Sequence, residues 1–216
     1  MESILKYINR ETTKFKYLNL IISGGNSPLF FFKKITEDKK KLRKISFYLT
    51  DERLVDKKSK YSNYNNFKKI SQSCIIKSPQ DYRNKKKKLR LFSELKRNPI
   101  ISIIGIGKDG HYASIFNKSK KLSLLLDHCK KPDILITEAI GKPKVKRATI
   151  NLSTILLSKK IFIIINSKQK KNYFVKCIEN KINPLYTLVK HSKKKLCVLN
   201  AKTLKKYNFN LNDKKI

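Results

Sequence analysis

The sequence predicts an α/β protein built on a parallel sheet flanked by helices. Segments of strand length alternate with helical segments along most of the chain, which is typical of a parallel sheet. Ile161–Ile165 is an uninterrupted apolar run, and in Ile100–Ile104 Ser102 alone is polar, as expected for parallel strands buried on both faces. No internal repeat and no Gly/Ser/Pro-rich linker divides the chain, so a single domain over residues 1–216 is expected.

The N-terminal half predicts two strands and four helices. Gly24 and Gly25 end the first strand, and Pro28 then occupies the first position of a helix, where its fixed φ is favourable. In order, the elements are a helix over residues 2–15, strand Tyr17–Ser23, a helix from Leu29 to about Lys41, strand Ile45–Thr50, a loop from Asp56 to Asn63, and helices over about Tyr64–Gln72 and Tyr82–Lys96.

The C-terminal half continues the alternation and ends in a polar tail. The tail, Tyr207–Ile216, is rich in Asn and Lys and is expected to fray. The predicted elements are strands Pro99–Ile104, Asp133–Glu138, Ala148–Leu152 and Ile161–Ile165, helix Lys168–Glu179, and strand Leu196–Leu199.

The formal net charge of +37 is consistent either with nucleic-acid binding or with a compositional bias. Of the 52 basic residues only seven are Arg, whereas proteins that bind phosphates usually recruit Arg. Lys, Asn and Ile, which A/T-rich codons encode, are all abundant, and the Lys residues are scattered. The run Lys85–Lys88 is interpreted as the solvated face of a helix whose apolar face contains Leu89, Leu91, Phe92 and Leu95. Codon bias is favoured, and no specific nucleic-acid partner is expected.

The composition also indicates in which cellular compartment the protein is expected and whether it is expected to bind a metal or cofactor. No apolar segment approaches the ~20 residues of a membrane span, and the N-terminus lacks signal-peptide features. A cytoplasmic protein without membrane partners, monomeric or weakly homo-oligomeric, is expected. No C-x-x-C pair occurs, so no metal or cofactor is expected, and His128 and His191 are interpreted as surface residues. All four cysteines are predicted to be small buried hydrophobes: Cys74, Cys129, Cys177 and Cys197.

The first of three polar clusters directly follows the strand Tyr17–Ser23. Gly24 and Gly25 let the backbone approach an anion, and the next helix directs its free N–H groups and positive dipole end to the same point. Ser27 can add a hydroxyl donor. The cluster predicts a phosphate-binding turn, although an ordinary strand–helix turn with an N-cap shares these features.

The second cluster, formed by Asp51, Glu52 and Arg53, follows the strand Ile45–Thr50. Arg53 suits an anionic or carbonyl oxygen, and Asp51 suits an orienting or proton-handling role. A surface salt-bridge cluster is the alternative interpretation. Because ligands of open parallel sheets bind outside the carboxyl ends of the strands, all three clusters are expected to converge on one cleft.

The third cluster follows the strand Pro99–Ile104 and contains Gly105, Gly107, Asp109 and His111. Its glycine spacing resembles a dinucleotide-binding loop, but no acidic residue clearly ends the next strand, so NAD is disfavoured. The Asp-Gly-His unit instead offers an imidazole with a nearby carboxylate, as a general base requires. A structural role for His111 is the alternative.

The clusters and three later segments form an ordered set: SGGNSP, FYLTDERLV, SN, GIGKDGHYASIF, KRATINL and INSKQKK. Over about residues 20–200 this set resembles the 6-phosphogluconolactonase family. The motifs of that family are, in order, an SGG-x-(T/S)-P loop, a DER-x-V strand end, a Ser-Asn pair, G-x-G-x-DGH-x-ASLF, an Arg before a Thr-containing strand, and a Lys just after a later strand. The chain departs from the family at Ser27, Asn117 and Ser167, where Thr, Pro and Gly are usual. These departures concern loop geometry more than functional side chains.

The resemblance implies a Rossmann-like parallel sheet of the phosphosugar deaminase/isomerase type. It also implies metal-independent hydrolysis of 6-phospho-D-glucono-1,5-lactone to 6-phospho-D-gluconate, a step of the oxidative pentose phosphate pathway. His111 would activate the water, supported by Asp109 or Asp51, between which the sequence does not choose. Arg53 would stabilise the oxyanion or the product carboxylate. The groups implied for the phosphate are Gly24, Gly25, Ser27, Arg147 and Lys170.

Two other functions stay open at this point. Glucosamine-6-phosphate deaminases share the first and third motifs, so a phosphosugar isomerase is the enzymatic alternative. They carry Glu and Asn after the His-Ala of their motif, where this chain has Ser114, Ile115 and Phe116. A nucleic-acid binder is the non-enzymatic alternative, although the chain lacks the interleaved aromatic and basic residues of an RNA-binding sheet.

Overall fold

A computed structural model of the chain describes residues 2–200 and 206–207. In chain order its strands are β1 (Leu18–Ile22), β2 (Ile45–Leu49), β3 (Asp51–Arg53), β4 (Ile75–Lys77), β5 (Ile100–Gly105), β6 (Ile134–Thr137), β7 (Arg147–Ile150), β8 (Lys160–Ile165), β9 (Leu196–Asn200) and β10 (Lys206–Tyr207). Its α-helices are α1 (Glu2–Lys14), α2 (Asn26–Thr36), α3 (Lys39–Leu42), α4 (Asn63–Ile70), α5 (Lys85–Lys96), α6 (Leu122–Leu126), α7 (Leu152–Leu156), α8 (Lys168–Glu179) and α9 (Leu185–Ser192).

The larger sheet has the strand order β10-β9-β8-β5-β1-β2-β4. Six of these strands are parallel, and β10 pairs antiparallel with β9 at one edge. The predicted α/β fold with a parallel sheet is therefore confirmed. From β1 the chain first extends the sheet through β2 and β4, and then returns to the other side of β1 with β5. The order thus reverses between β1 and β5, where doubly wound sheets bind their ligands.

Helices cover both faces of this sheet, which explains the uninterrupted apolar strands. In β1, Leu20 and Ile22 pack with α1, α2 and α4, whereas Ile21 belongs to the core on the α5, α8 and α9 side. In β5, Ile103 and Ile104 divide between the same two cores. Each central strand therefore buries successive side chains on opposite faces, as the continuous runs predicted.

A second sheet, of three antiparallel strands in the order β3-β7-β6, lies beside the first. The predicted strands Asp133–Glu138 and Ala148–Leu152 exist as β6 and β7, but they form this sheet and not the parallel one. Asp51–Arg53, expected as a polar cluster that follows the strand Ile45–Thr50, is itself the strand β3. The chain passes between the sheets at Thr50, whose N–H donates to Ile22 O and whose carbonyl accepts from the N–H of Ile150.

Local capping accounts for most of the shifted helix boundaries. α2 begins at Asn26, two residues before Pro28, because Gly25 is its N-cap. The helix predicted to reach Lys41 ends at Thr36, and Asp38 caps the separate helix α3 by accepting the N–H of Lys41. The strand β4 and the helices α6, α7 and α9 were not predicted; they have three, five, five and eight residues.

The lysine run lies in the first turn of α5. Its side chains are mostly exposed, whereas Leu91, Phe92 and Leu95 are buried, in agreement with the predicted two faces. Leu89 is an exception: it is 64% exposed and does not belong to the apolar face. In the described segments, no helix combines the length and the apolar character needed to cross a membrane.

The aromatic cluster under α2 provides a test of the packing. Phe32 is fully buried, with ring centroids 4.8 Å from Phe47 and 4.6 Å from Phe67. We expect Phe32→Ala to lower the free energy of unfolding by about 3–5 kcal/mol, because it removes apolar contacts and leaves a cavity. The exposed Leu89→Ala serves as control and should change it by less than about 0.5 kcal/mol. Chemical denaturation measures both; a similar small loss in each variant would contradict the packing described.

Candidate active site

A cavity of about 240 Å³ lies at the carboxyl ends of β1 and β5, next to the second sheet. It brings together most of the residues singled out in the sequence. Those that line it are Gly24, Gly25, Asp51, Arg53, His111, Arg147 and Lys170. Asp109 is not among the lining residues but contacts His111. The side chain of Ser27 is outside the described part of the chain, so its predicted hydroxyl contact stays a prediction.

Two helices of more than two turns begin at this cavity. Gly25, the N-cap of α2, has φ 96°, a left-handed conformation that favours glycine. Ser167 caps α8 by accepting the N–H of Lys170 at 3.3 Å, and its neighbour Asn166 lines the cavity. The free N–H groups and positive dipole ends of both helices therefore favour an anion at this place.

Arg53 and Arg147 are directly opposite each other on the antiparallel strands β3 and β7. Like charges at such positions destabilise a sheet. The guanidinium of Arg53 donates to Tyr61 O at 2.7 Å, but the Nε of each arginine is buried without a hydrogen-bond partner. An anion between the two arginines would relieve the repulsion and satisfy both N–H groups.

The guanidinium of Arg147 is held in place on several sides. Its Nη2 donates to the carbonyls of Lys142 and Pro143, each at 3.2 Å, and it lies 5.4 Å from the ring centre of Phe116. Its Nη1 is 3.9 Å from Oδ2 of Asp51. Burial lowers the pKa of Arg147, and Asp51 opposes this effect.

The buried carboxylate of Asp51 connects three parts of the chain. Its Oδ2 accepts from Ser114 Oγ at 2.6 Å and its Oδ1 accepts from Thr50 Oγ1 at 3.0 Å. The backbone N–H of Ser114 in turn donates to Thr149 of β7. Asp51 thus contacts Arg147 and the loop after His111. From its position in the sequence, either an orienting or a proton-handling role had been open for Asp51.

Glu52 has a structural position that its place in the motif did not reveal. It is 1% exposed, and its two oxygens accept the backbone N–H groups of Asn63 and Tyr64 at 2.7 Å, at the start of α4. Burial raises the pKa of Glu52, and these N–H groups act in the opposite direction. Because both oxygens are engaged, Glu52 fixes the first turn of α4 and thereby places Asn63 in the cavity.

Asn63 explains why position 24 is a glycine. Its Nδ2 donates to Asp51 O at 3.0 Å, and a Cβ on Gly24 would lie only 2.3 Å from its Oδ1. Asn63 and Asn166 both line the cavity and were not predicted as site residues. The Ser-Asn pair of the resemblance was the available signal for Asn63, whereas a lone Asn after a strand gave none for Asn166.

Lys170 adds a third cation to the cavity. It is half-buried in the first turn of α8. Burial lowers its pKa, and the nearby ammonium of Lys108 lowers it further. An anion beside Lys170 would therefore compensate both the lost hydration and the repulsion between the two lysines.

His111 and Asp109 form a close pair in the loop after β5. His111 Nδ1 lies 2.5 Å from Asp109 Oδ1, and the imidazole stacks on Phe116 with ring centroids 4.2 Å apart. The contact with His111 lowers the pKa of Asp109. A Cβ on Gly107 would lie 2.2 Å from the imidazole, so a side chain there would displace the pair. With Nδ1 engaged by Asp109, Nε2 is the ring nitrogen left for a substrate or water.

The fold and the cavity together are typical of an α/β enzyme. The cavity lies at the switch point of the parallel sheet and suits a small anionic substrate. Sequence comparison makes the class specific: residues 1–198 match the family described as glucosamine-6-phosphate isomerases/6-phosphogluconolactonase. The chain belongs to this family.

Its relatives include named lactonases of similar length. A 6-phosphogluconolactonase of Thermotoga maritima is 28% identical over 178 residues, 77% of each chain. One of Helicobacter pylori is 26% identical over 207 residues, 89% of this chain and 87% of the relative. The crystal structure of the Thermotoga maritima 6-phosphogluconolactonase matches with a TM-score of 0.74 at 25% identity, over 92% of this chain and 91% of that one.

The opposed arginines lead to a test that requires no substrate. Inorganic phosphate at about 100 times its dissociation constant should stabilise the folded protein by about 2.7 kcal/mol, since it binds the folded state alone. For a chain of this size, that is a rise of roughly 5–10 °C in Tm. Arg147→Gln should reduce the rise measured at the same phosphate concentration. Lys86→Gln, which removes an exposed lysine of α5, should retain it; an equal rise in all three proteins would contradict an anion site at the arginines.

Proposed function

We propose that the protein hydrolyses 6-phospho-D-glucono-1,5-lactone to 6-phospho-D-gluconate, with His111 as the base that activates water. The observation that supports this most is the composition of one cavity, which is lined by the imidazole of His111, itself in contact with Asp109, and by three cationic side chains. A lactone that carries a phosphate needs both a base at its carbonyl and positive charge for its dianionic group. The names of the relatives support the same substrate.

In the first step, water attacks the carbonyl carbon while Nε2 of His111 takes a proton from it. The Asp109 carboxylate, at Nδ1, orients the ring and stabilises the imidazolium that forms. The tetrahedral intermediate then expels the ring oxygen, which takes the proton back from His111. The ester C–O bond breaks, and the acid formed loses its proton to solvent. The geometry thus favours Asp109 over Asp51 as the partner of the base.

Arg53 is assigned to the developing oxyanion and the product carboxylate. Arg147, Lys170 and the Gly24–Gly25 turn are assigned to the phosphate, where the N-termini of α2 and α8 add two further positive dipole ends. Asp51 is assigned a positioning role, because it is engaged by Ser114 and Thr50 and lies beside Arg147.

We also propose that this chemistry uses no catalytic metal. Among the described residues that line the cavity, Asp51 is the one carboxylate, and its oxygens already accept from two hydroxyls. His111 engages Asp109 through Nδ1, so Nε2 is the one imidazole nitrogen left, and the proposed mechanism uses it for proton transfer. The donor set is therefore poor for a divalent cation, whereas the arginines and Lys170 supply the positive charge that such an ion would contribute.

A phosphosugar isomerase is the second candidate, since the family description includes that activity. The segment after His111 argues against it: Ser114 donates to Asp51 and Ile115 is fully buried, where the isomerase motif has polar Glu and Asn. Parallel assays with the phosphogluconolactone and with glucosamine 6-phosphate distinguish the two, and turnover of the amino sugar alone would overturn the proposal.

His111→Gln tests the base. We expect kcat to fall by about 10²–10⁴ with little change in KM, because a general base acts mainly in the transition state. The rate of spontaneous lactone hydrolysis must be subtracted. A rise in KM at unchanged kcat would instead make His111 a binding group and contradict the assignment.

Lys170→Gln tests the phosphate anchor. A lost charge-assisted contact costs about 1.5–3 kcal/mol, so KM should rise roughly 10- to 150-fold while kcat changes little. Lys168→Gln is the matched control, because Lys168 is exposed on the same turn of α8 and does not line the cavity. A larger effect at Lys168 than at Lys170 would contradict the anchor.

A further inference from the structure

A second group of reactive side chains lies where the segment after α6 meets the end of α9. Asp127, His128 and Cys129 follow α6 directly, and one ligand atom of each lies within 4.8 Å of the other two. The ring of His191, in the last turn of α9, stacks on His128 with centroids 3.7 Å apart and planes at 26°. His128 thus contacts both the exposed Cys129 and His191, which lies 63 positions further along the chain.

This arrangement differs from the sequence expectation. Both histidines were interpreted as unrelated surface residues, and Cys129 as a buried hydrophobe. Cys74, Cys177 and Cys197 are indeed buried, but Cys129 is exposed beside His128. None of the four described residues Asp127, His128, Cys129 and His191 lines the cavity discussed above, so the active site does not account for their proximity.

The distance between sulfur and nitrogen matches a tetrahedral metal site. Cys129 Sγ lies 3.4 Å from His128 Nε2. Zinc bonds of about 2.3 Å to sulfur and 2.0–2.1 Å to nitrogen, at a tetrahedral angle, separate these two atoms by about 3.6 Å. The carboxylate is already turned toward this pair, since Asp127 Oδ1 accepts the backbone N–H of Cys129 at 3.0 Å. A small side-chain rotation would bring its oxygens to coordinating distance.

The donor types also suit zinc. A thiolate, an imidazole and a carboxylate are its usual protein ligands, and the two negative charges among them balance a divalent ion. The neighbouring Lys130 and Lys131 oppose cation binding, so this balance is needed. His191 holds the imidazole of His128 by stacking, which reduces the ordering that a metal would otherwise impose.

We propose that Asp127, His128 and Cys129 bind a zinc ion with one open coordination position, and that His191 is a positioning residue for His128. The site stabilises the packing of the α6–β6 connection against α9 and is separate from the proposed lactonase chemistry. Zinc binding is therefore measured independently of that function.

The experiment titrates Zn²⁺ into the reduced, metal-free full chain by calorimetry and follows Tm, with Co²⁺ as a spectroscopic probe. We expect one zinc per chain, a rise in Tm, and a thiolate-to-cobalt charge-transfer band. Cys129→Ser should remove the band and weaken zinc binding by about 100-fold or more, since even residues behind the ligands contribute 10- to 100-fold.

Two further variants make the assignment specific. His111→Gln should retain zinc binding, and Cys129→Ser should retain lactonase activity, so that the two sites separate in both directions. His191→Phe, folded by circular dichroism, should retain zinc because a phenyl ring can still stack on His128. Absence of zinc binding, binding that survives in Cys129→Ser, or loss in either His111→Gln or folded His191→Phe would overturn the proposal.

Discussion

The buried carboxylate of Asp51 connects the two sheets with the loop that contains the proposed base. It accepts hydrogen bonds from Thr50, where the chain leaves the parallel sheet, and from Ser114, just after His111. It also lies beside Arg147 on the opposite strand of the small sheet. Because a buried charge is costly unless it is paired, these contacts are mutually dependent. Loss of Asp51 would release the guanidinium and the loop together.

The small sheet serves the site by concentrating positive charge. Arg53 and Arg147 are two of only seven arginines in a chain with 52 basic residues, and the register of β3 with β7 sets them opposite each other. Lys170 adds a cation whose pKa is lowered by its burial. Repulsion among these cations and their lost hydration destabilise the protein when no anion is bound. An anion bound in the cavity would remove the repulsion, and this gain would contribute to its binding free energy. The general excess of lysine on the surface therefore does not indicate a function, whereas these three cations in one cavity indicate binding of an anion.

The loop after β5 shows how local sequence can position the imidazole proposed as the base. Gly107 leaves room for the imidazole, Phe116 stacks against its face, and Asp109 engages its Nδ1. Each of these residues lies within five positions of His111, so the pair is formed within one short segment. Only the position of His111 at the edge of the cavity depends on the rest of the fold.

The sequence by itself determined the central strands, the class of fold and the three polar clusters. The strands could be predicted because a strand buried on both faces requires a continuous apolar segment, such as Ile161–Ile165. The polar clusters could be predicted because glycines and polar residues mark the ends of strands. Tertiary structure alone decided that Asp51–Arg53 is a strand opposite β7, that Glu52 accepts the first N–H groups of α4, and that His128 contacts His191. These are pairings between residues distant in sequence or between short segments without periodicity, and their energies depend on partners that no local pattern encodes.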